Sequence, residues 1–179
     1  MKASKGMGIG VVTTFMVLAG NASAGLALTQ WRVEDGGNGH WYGLTATTGS
    51  WEEMEAAAVA AGGHLASIHD TGENAYVYSL ISQPGNGATF ACWLGMMRDP
   101  SGPWYWSDGS ESNYFNWAGG EPNNAQGNER WVWMYSTGGG VWNDHWPQYS
   151  LAGVIEVVPA PAGAAIFAAA GLASRRRRR

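Results

Sequence analysis

Apolar and polar positions change rhythm near the middle of this chain, dividing it into a helical half and a strand-rich half. Residues 51–61 are rich in helix formers; Ser50 and Glu53 make a capping-box pattern at their start and Gly62-Gly63 ends them, which predicts a first helix. A second is predicted by Asp70 and Glu73 as a cap, with Ala75, Val77, Leu80 and Ile81 as its apolar side through about Ser82. Upstream, residues 29–42 read as strand and turn, with Gly36-Gly37-Asn38-Gly39 between Trp31-Arg32-Val33 and Trp41-Tyr42.

Beyond Pro84 the pattern becomes short aromatic stretches broken by glycine, asparagine and proline. Strands are predicted over 90–95, 104–106, 131–135 and 153–158, with Gly138-Gly139-Gly140 as a turn before Trp142. Helices first and strands afterwards make an α+β order. The stretch 108–130 has little periodicity, and a loop that long inside a compact domain is usually functional; a bound ion is one way to order it.

Both ends depart from this globular pattern. Lys2 and Lys5, a mostly apolar run over 7–19 and Ala22-Ser23-Ala24 predict an export signal over 1–24, cleaved after Ala24. Residues 162–173 are only Ala, Gly, Ile, Phe and Leu, and Arg175 to Arg179 form a basic run. Those twelve apolar residues are short of the ~20 of a full span, so transient membrane association is expected, with the arginines cytoplasmic.

Setting both ends aside leaves Arg32, Arg98 and Arg130 against all 14 acids, a net charge of −11 for residues 25–158. So acidic a domain disfavours DNA, RNA and anionic membranes as partners and suits divalent cations. Cys92 is the only cysteine, so no intramolecular disulfide forms and the core must hold the fold.

Oxygen-bearing residues gather in and after the long loop: Glu121-Pro122-Asn123, Glu129, then Asn143-Asp144. Calcium takes six to eight oxygens from carboxylates and amide carbonyls and needs no nitrogen or sulfur, so this set suits Ca2+. Pro122, held in one isomer, can turn the Glu121 and Asn123 side chains toward one point. Taken singly, Asn143-Asp144 reads as a turn after Trp142 and Glu121-Pro122-Asn123 as a solvated loop corner.

With these residues in place, the chain resembles the C-type lectin domain family over about 39–158. Trp51 opening a helix, Gly62-Gly63-His64-Leu65-Ala66-Ser67-Ile68, Trp93-Leu94-Gly95-Met96, Phe115-Asn116-Trp117, the EPN of Glu121-Pro122-Asn123 and the WND of Trp142-Asn143-Asp144 occur in family order. The resemblance implies a C-type-lectin-like α+β fold, two helices packed on short antiparallel sheets with a long calcium-binding loop. It also implies that Glu121, Asn123, Glu129, Asn143 and Asp144 ligate calcium and, with it, two neighbouring sugar hydroxyls. EPN implies mannose-type sugars, where galactose-preferring relatives carry QPD. The family's disulfide positions fall at Ala58, Ile155 and Trp131, which implies hydrophobic replacement; Asn124 and Arg130 stand where an auxiliary calcium site would have acids.

Val158-Pro159-Ala160-Pro161, the apolar segment and the arginine run resemble a PEP-CTERM sorting signal, although Ala160 replaces its usual glutamate. That resemblance implies an exported bacterial protein, processed at 159–179 by an exosortase-type enzyme and released to the cell envelope or extracellular matrix.

Other readings of the same residues are weaker. Trp51, Trp93 and Trp117 are expected in the core, while Trp117, Trp133, Trp142 and Trp146 are also near enough to the loop to stack on a pyranose. His64 and His69 lack a third nitrogen or sulfur ligand for zinc, Ser67 sits in no G-x-S-x-G, and Gly85-Asn86-Gly87 lacks a phosphate-loop sequel. Glu121 and Glu129 as glycosidase carboxylates fit poorly beside Asn123 and Asn143. A non-enzyme is therefore expected. The alternative is a scaffold of the same fold that binds protein or matrix with calcium as a loop staple, or one that has lost its calcium.

Overall fold

The computed structural model describes residues 15–17 and 26–160. The export signal, apart from 15–17, and the tail from 161 onward lie outside these described residues. Among the described residues, no helix is long and apolar enough to cross a membrane.

Both helices form where their caps predict. Helix α1, Trp51–Ala60, has a complete capping box: Glu53 N–H donates to Ser50 Oγ at 3.3 Å and Ser50 N–H to Glu53 Oε2 at 2.9 Å. It buries Trp51, Met54 and Ala58, three residues on one face at helical spacing. Helix α2, Thr71–Ile81, is capped by Asp70, whose Oδ1 accepts from Glu73 N–H at 2.8 Å. Its buried side differs from the expected one. Ala75 is exposed, and Glu73 and Asn74 go inward with Val77 and Ile81.

Strands β1 Phe15–Val17, β2 Ala27–Gln30, β3 Trp41–Leu44, β4 His64–Leu65, β5 Ala91–Arg98, β6 Trp104–Trp106, β7 Trp131–Tyr135, β8 Trp142–His145 and β9 Ala152–Val157 join in one sheet. Its order is β1-β2-β3-β9-β5-β7-β8, with β4 on β9 and β6 on β5. The antiparallel pairing expected of the sheets holds between the named strands except for β5 and β9, which run parallel, pairing Cys92 with Ala152 and Trp93 with Gly153. Three residues inside the predicted export signal, β1, pair with β2 at the sheet edge.

The core has two parts. One gathers Leu94, Met96, Val132, Met134 and Trp142 with Val77 and Ile81 of α2. The other gathers Trp51, Met54 and Ala58 of α1 with Leu65, Trp93, Trp133 and Ile155. Ala58 and Ile155, at the family's disulfide positions, are both fully buried there, and Trp131 is buried with them. A buried large side chain contributes ~1.5–3 kcal/mol and a disulfide ~2–4 kcal/mol, so packing replaces a bridge at similar magnitude.

Two glycines of the family motifs are sterically required. A Cβ on Gly63 would strike the Glu156 carbonyl, and one on Gly95 the Leu65 carbonyl, so both allow the close approach of neighbouring strands.

Candidate functional site

Strand β8 carries two of the five predicted ligands into the long loop. Trp142 is fully buried and anchors the strand: its Nε1 donates to Asn74 Oδ1 of α2 at 2.8 Å, and Trp106, Tyr114 and Trp117 pack edge-on around it. Its backbone also pairs with the loop, accepting from Ala118 N–H at 2.8 Å and donating to Asn116 O at 2.8 Å. The following Asn143 and Asp144 are therefore held by core packing.

Asp144, fully buried, organises the EPN corner. Its Oδ1 accepts from Asn123 N–H and its Oδ2 from Asn124 N–H, both at 3.0 Å. Glu129 Oε2 accepts from Ala125 N–H at 2.7 Å, and Glu129 N–H donates to Asn124 Oδ1 at 3.1 Å. Asn124 thus holds the loop together in a left-handed conformation, φ 49°. The Glu121-Pro122 peptide is cis.

Arg98, at the end of β5, closes the base. Its Nη2 and Nε donate to the Glu129 carbonyl at 2.9 and 3.2 Å, and Nη2 lies 3.5 Å from Asp144 Oδ2. No local pattern signals this contact, since Arg98 lies 31 residues before Glu129.

Electrostatically the corner is under-neutralised. Glu121 and Glu129 are both held above the ordinary carboxylate range, chiefly by burial and then, through charge repulsion, by Asp144; hydrogen bonds from Asn123 and Ala125 offset part of this. Glu121 Oε2 and Asn143 Oδ1 are buried with no hydrogen-bond partner among the described residues. Native folds rarely leave such oxygens unmatched. In ligand type the oxygen-only set of Glu121, Asn123, Glu129, Asn143 and Asp144, two of its atoms orphaned, suits a hard divalent cation such as calcium. Its three carboxylates, however, do not all close to within 4.8 Å of one another, as His40, Glu73 and Glu156 do among the described residues.

The aromatic expectations divide. Trp51 and Trp93 are core residues, whereas Trp117 is only half-buried and stacks on Phe115 at 6.2 Å. Trp133 is 3% exposed and Trp142 0%, so neither offers a ring face to a sugar. Trp146 keeps partial exposure. Asn124 and Arg130, where the family's auxiliary site would have acids, serve packing: Asn124 braces the loop and the Arg130 guanidinium lies 4.9 Å from the Trp131 ring centre.

A second acidic group escaped sequence reasoning. Atoms of His40, Glu73 and Glu156 lie within 4.8 Å of one another. Here every carboxylate oxygen has a protein donor. Tyr42 Oη donates at 2.5 Å to Glu73 Oε1 and lies 3.1 Å from Glu156 Oε1; His40 Nδ1 bonds Glu156 Oε1 at 2.6 Å; Ser67 N–H and Oγ donate to Glu156 Oε2 at 3.0 and 3.1 Å. Asn38 Nδ2 and His69 N–H complete Glu73 at 2.9 and 2.7 Å. The alternation of Asn38, His40 and Tyr42 was the available signal. His64, likewise, bonds locally to Glu55 at 2.6 Å.

Fold and loop together define a binding module of the lectin class. The chain belongs to the C-type lectin domain family: the Lectin C-type domain profile matches residues 30–152. It is 41% identical over 95 residues to a C-type lectin of Cerberus rynchops, covering 51% of this chain and 59% of that protein. The C-type lectin BfL-2 of Bungarus fasciatus is 39% identical over 116 residues, covering 60% of this chain and 70% of that one. The chain thus spans somewhat more than half the length of these curated relatives. Among solved structures, C-type lectin CEL-I from Cucumaria echinata superposes with TM-score 0.62 at 28% identity, covering 66% of this chain and 90% of that one. The scaffold is that of a family of non-enzymatic carbohydrate-binding proteins.

Proposed function

We propose that this chain binds sugars through calcium held by Glu121, Asn123, Glu129, Asn143 and Asp144, with a preference for mannose-type hydroxyls. The observation that carries this reading is the pair of orphaned buried oxygens, Glu121 Oε2 and Asn143 Oδ1, among carboxylates that repel one another. Calcium held there would supply the missing positive charge and a Lewis-acidic partner for two vicinal hydroxyls, to which the carboxylates of Glu121, Glu129 and Asp144 would offer acceptors and the amides of Asn123 and Asn143 donors. The EPN order supports the mannose preference, as does 36% identity over 116 residues to a C-type lectin mannose-binding isoform of Oxyuranus scutellatus.

The test is retention on immobilised mannan with calcium and again with chelator. Calcium-dependent retention that free mannose competes away supports the reading; retention unaffected by chelator and by mannose sinks it. Glu121→Gln combined with Asn123→Asp is expected to move preference toward galactose. Unchanged selectivity would leave calcium as a loop staple on a protein- or matrix-binding scaffold. Export through the 1–24 signal, and processing of 159–179 by an exosortase-type enzyme with release to the envelope or extracellular space, belong to the same proposal. Mass spectrometry of the secreted product tests them, with new termini expected near Ala24 and Pro159.

A further inference from the structure

The candidate calcium ligands line no part of a sizeable cleft elsewhere in the domain. That cleft, about 550 Å³, opens between β6 and the first part of the long loop. Its volume lies within the range of small-ligand pockets and accommodates a short oligosaccharide.

Its walls combine rings with hydrogen-bonding groups. Tyr105 and Phe115 are 40% and 46% exposed, a considerable aromatic area to leave in water. Both are fixed. Phe115 lies nearly parallel to Trp117, Trp117 packs on Trp104 at 5.2 Å, and the Arg98 guanidinium sits 4.5 Å from the Trp104 ring centre. Tyr105 is held on β6, where its partner is Met97. Exposed Glu111 and Asn113 offer an acceptor and an amide at the rim. Trp106, also lining the cleft, is 3% exposed, and its Nε1 has no partner among the described residues.

Charge narrows the ligand. No lysine or arginine lines the cleft, Glu111 does, and the one basic lining side chain, His69, is engaged by Glu73 at 3.1 Å, so phosphorylated, sulfated or uronic ligands meet no free counter-charge. Preordered aromatic faces beside neutral donors and acceptors suit pyranose rings, which present C–H faces and hydroxyl edges. We propose that this cleft is a second carbohydrate site that works without calcium, taking neutral oligosaccharides by stacking on Tyr105 and Phe115 and by hydrogen bonds to Glu111 and Asn113. It goes beyond the calcium-dependent reading and shares no residue with it.

Calorimetric titration of the whole protein in excess chelator, with cellohexaose, xylohexaose and mannohexaose in turn, tests the site. At least one hexaose is expected to bind. Tyr105→Ala and Phe115→Ala, both exposed positions, should each weaken it about tenfold, while Glu121→Gln should leave it within about twofold. Thermal melts verify that each variant is folded. Absence of binding to all three hexaoses at millimolar concentration, unchanged affinity in the two aromatic variants, or occupation of the cleft by a proline-rich peptide in preference to any hexaose overturns the proposal. Mannan retention with calcium, measured on the same preparation, reports separately on the loop.

Discussion

Two acid clusters in this domain solve the same problem in different ways. Glu73 and Glu156 are about as buried as Glu129 and Asp144, and desolvating a carboxylate is costly wherever it occurs. At the Glu73–Glu156 cluster the chain brings its own donors from Asn38, His40, Tyr42, Ser67 and His69, and each oxygen is matched. At the loop it supplies backbone amides and one distant guanidinium, then leaves Glu121 Oε2 and Asn143 Oδ1 unmatched. The first arrangement builds stability into the fold, and the second, on the function proposed above, reserves affinity for a cation.

Breaking the self-sufficient cluster should have the largest effect. Glu156→Ala strands the buried Ser67 N–H and hydroxyl and takes the partner from the half-buried His40 imidazole, and the loss expected in urea denaturation is ~3–5 kcal/mol. A change below about 1 kcal/mol would erase the distinction between the clusters. Next in size, calcium at about 100 times its Kd should stabilise the wild type by ~2.7 kcal/mol, with no such gain in Glu121→Gln. Superimposable melts with calcium and with chelator would make the loop as self-sufficient as the other cluster. Tyr42→Phe removes the hydroxyl shared by both buried acids and should cost ~1–3 kcal/mol.

The smallest effect should come from His40→Gln, and it should depend on pH. The hydrogen bond to Glu156 raises the His40 pKa above its usual 6.5, outweighing the lowering by burial, with the charges of Glu156 and Glu73 adding to the rise. Imidazolium is therefore favoured in the folded state. The stability it contributes is fully present below the unfolded pKa and is lost as pH rises through the folded one. The wild-type advantage over His40→Gln should accordingly shrink on going from about pH 5.5 to about pH 8.5. A gap that stays constant would mean that His40 contributes as a neutral donor.

Local chemistry was legible in the sequence, and distant pairing was not. Ser50 with Glu53 marks α1, and Asp70 marks α2, because caps act within one turn of helix. Glu73 defeats the simple cap reading, since its carboxylate turns toward Tyr42 and His69 in answer to tertiary contacts. Taken singly, Asn143-Asp144 reads as a turn after Trp142; the strand β8 they belong to, pairing Val132 with Asp144 and Trp133 with Asn143, depends on β7. The parallel contact between β5 and β9 is likewise set by the fold as a whole. The five candidate ligands of the loop stand out because a family order links residues that spacing alone leaves as separate turns. Arg98 and the His40–Glu73–Glu156 group have no such link.

The burial of Ala58 and Ile155 in one core cluster carries a consequence for where this domain can work. With hydrophobic contact in the place of a cross-link, folding requires no oxidase and no isomerase, and reducing agents have no bridge to cut. Cys92 is the sole thiol, fully buried, and desolvation pushes its pKa up to about 12, so thiolate for exchange is scarce at neutral pH. A change of redox potential therefore finds no cross-link in this domain to make or break.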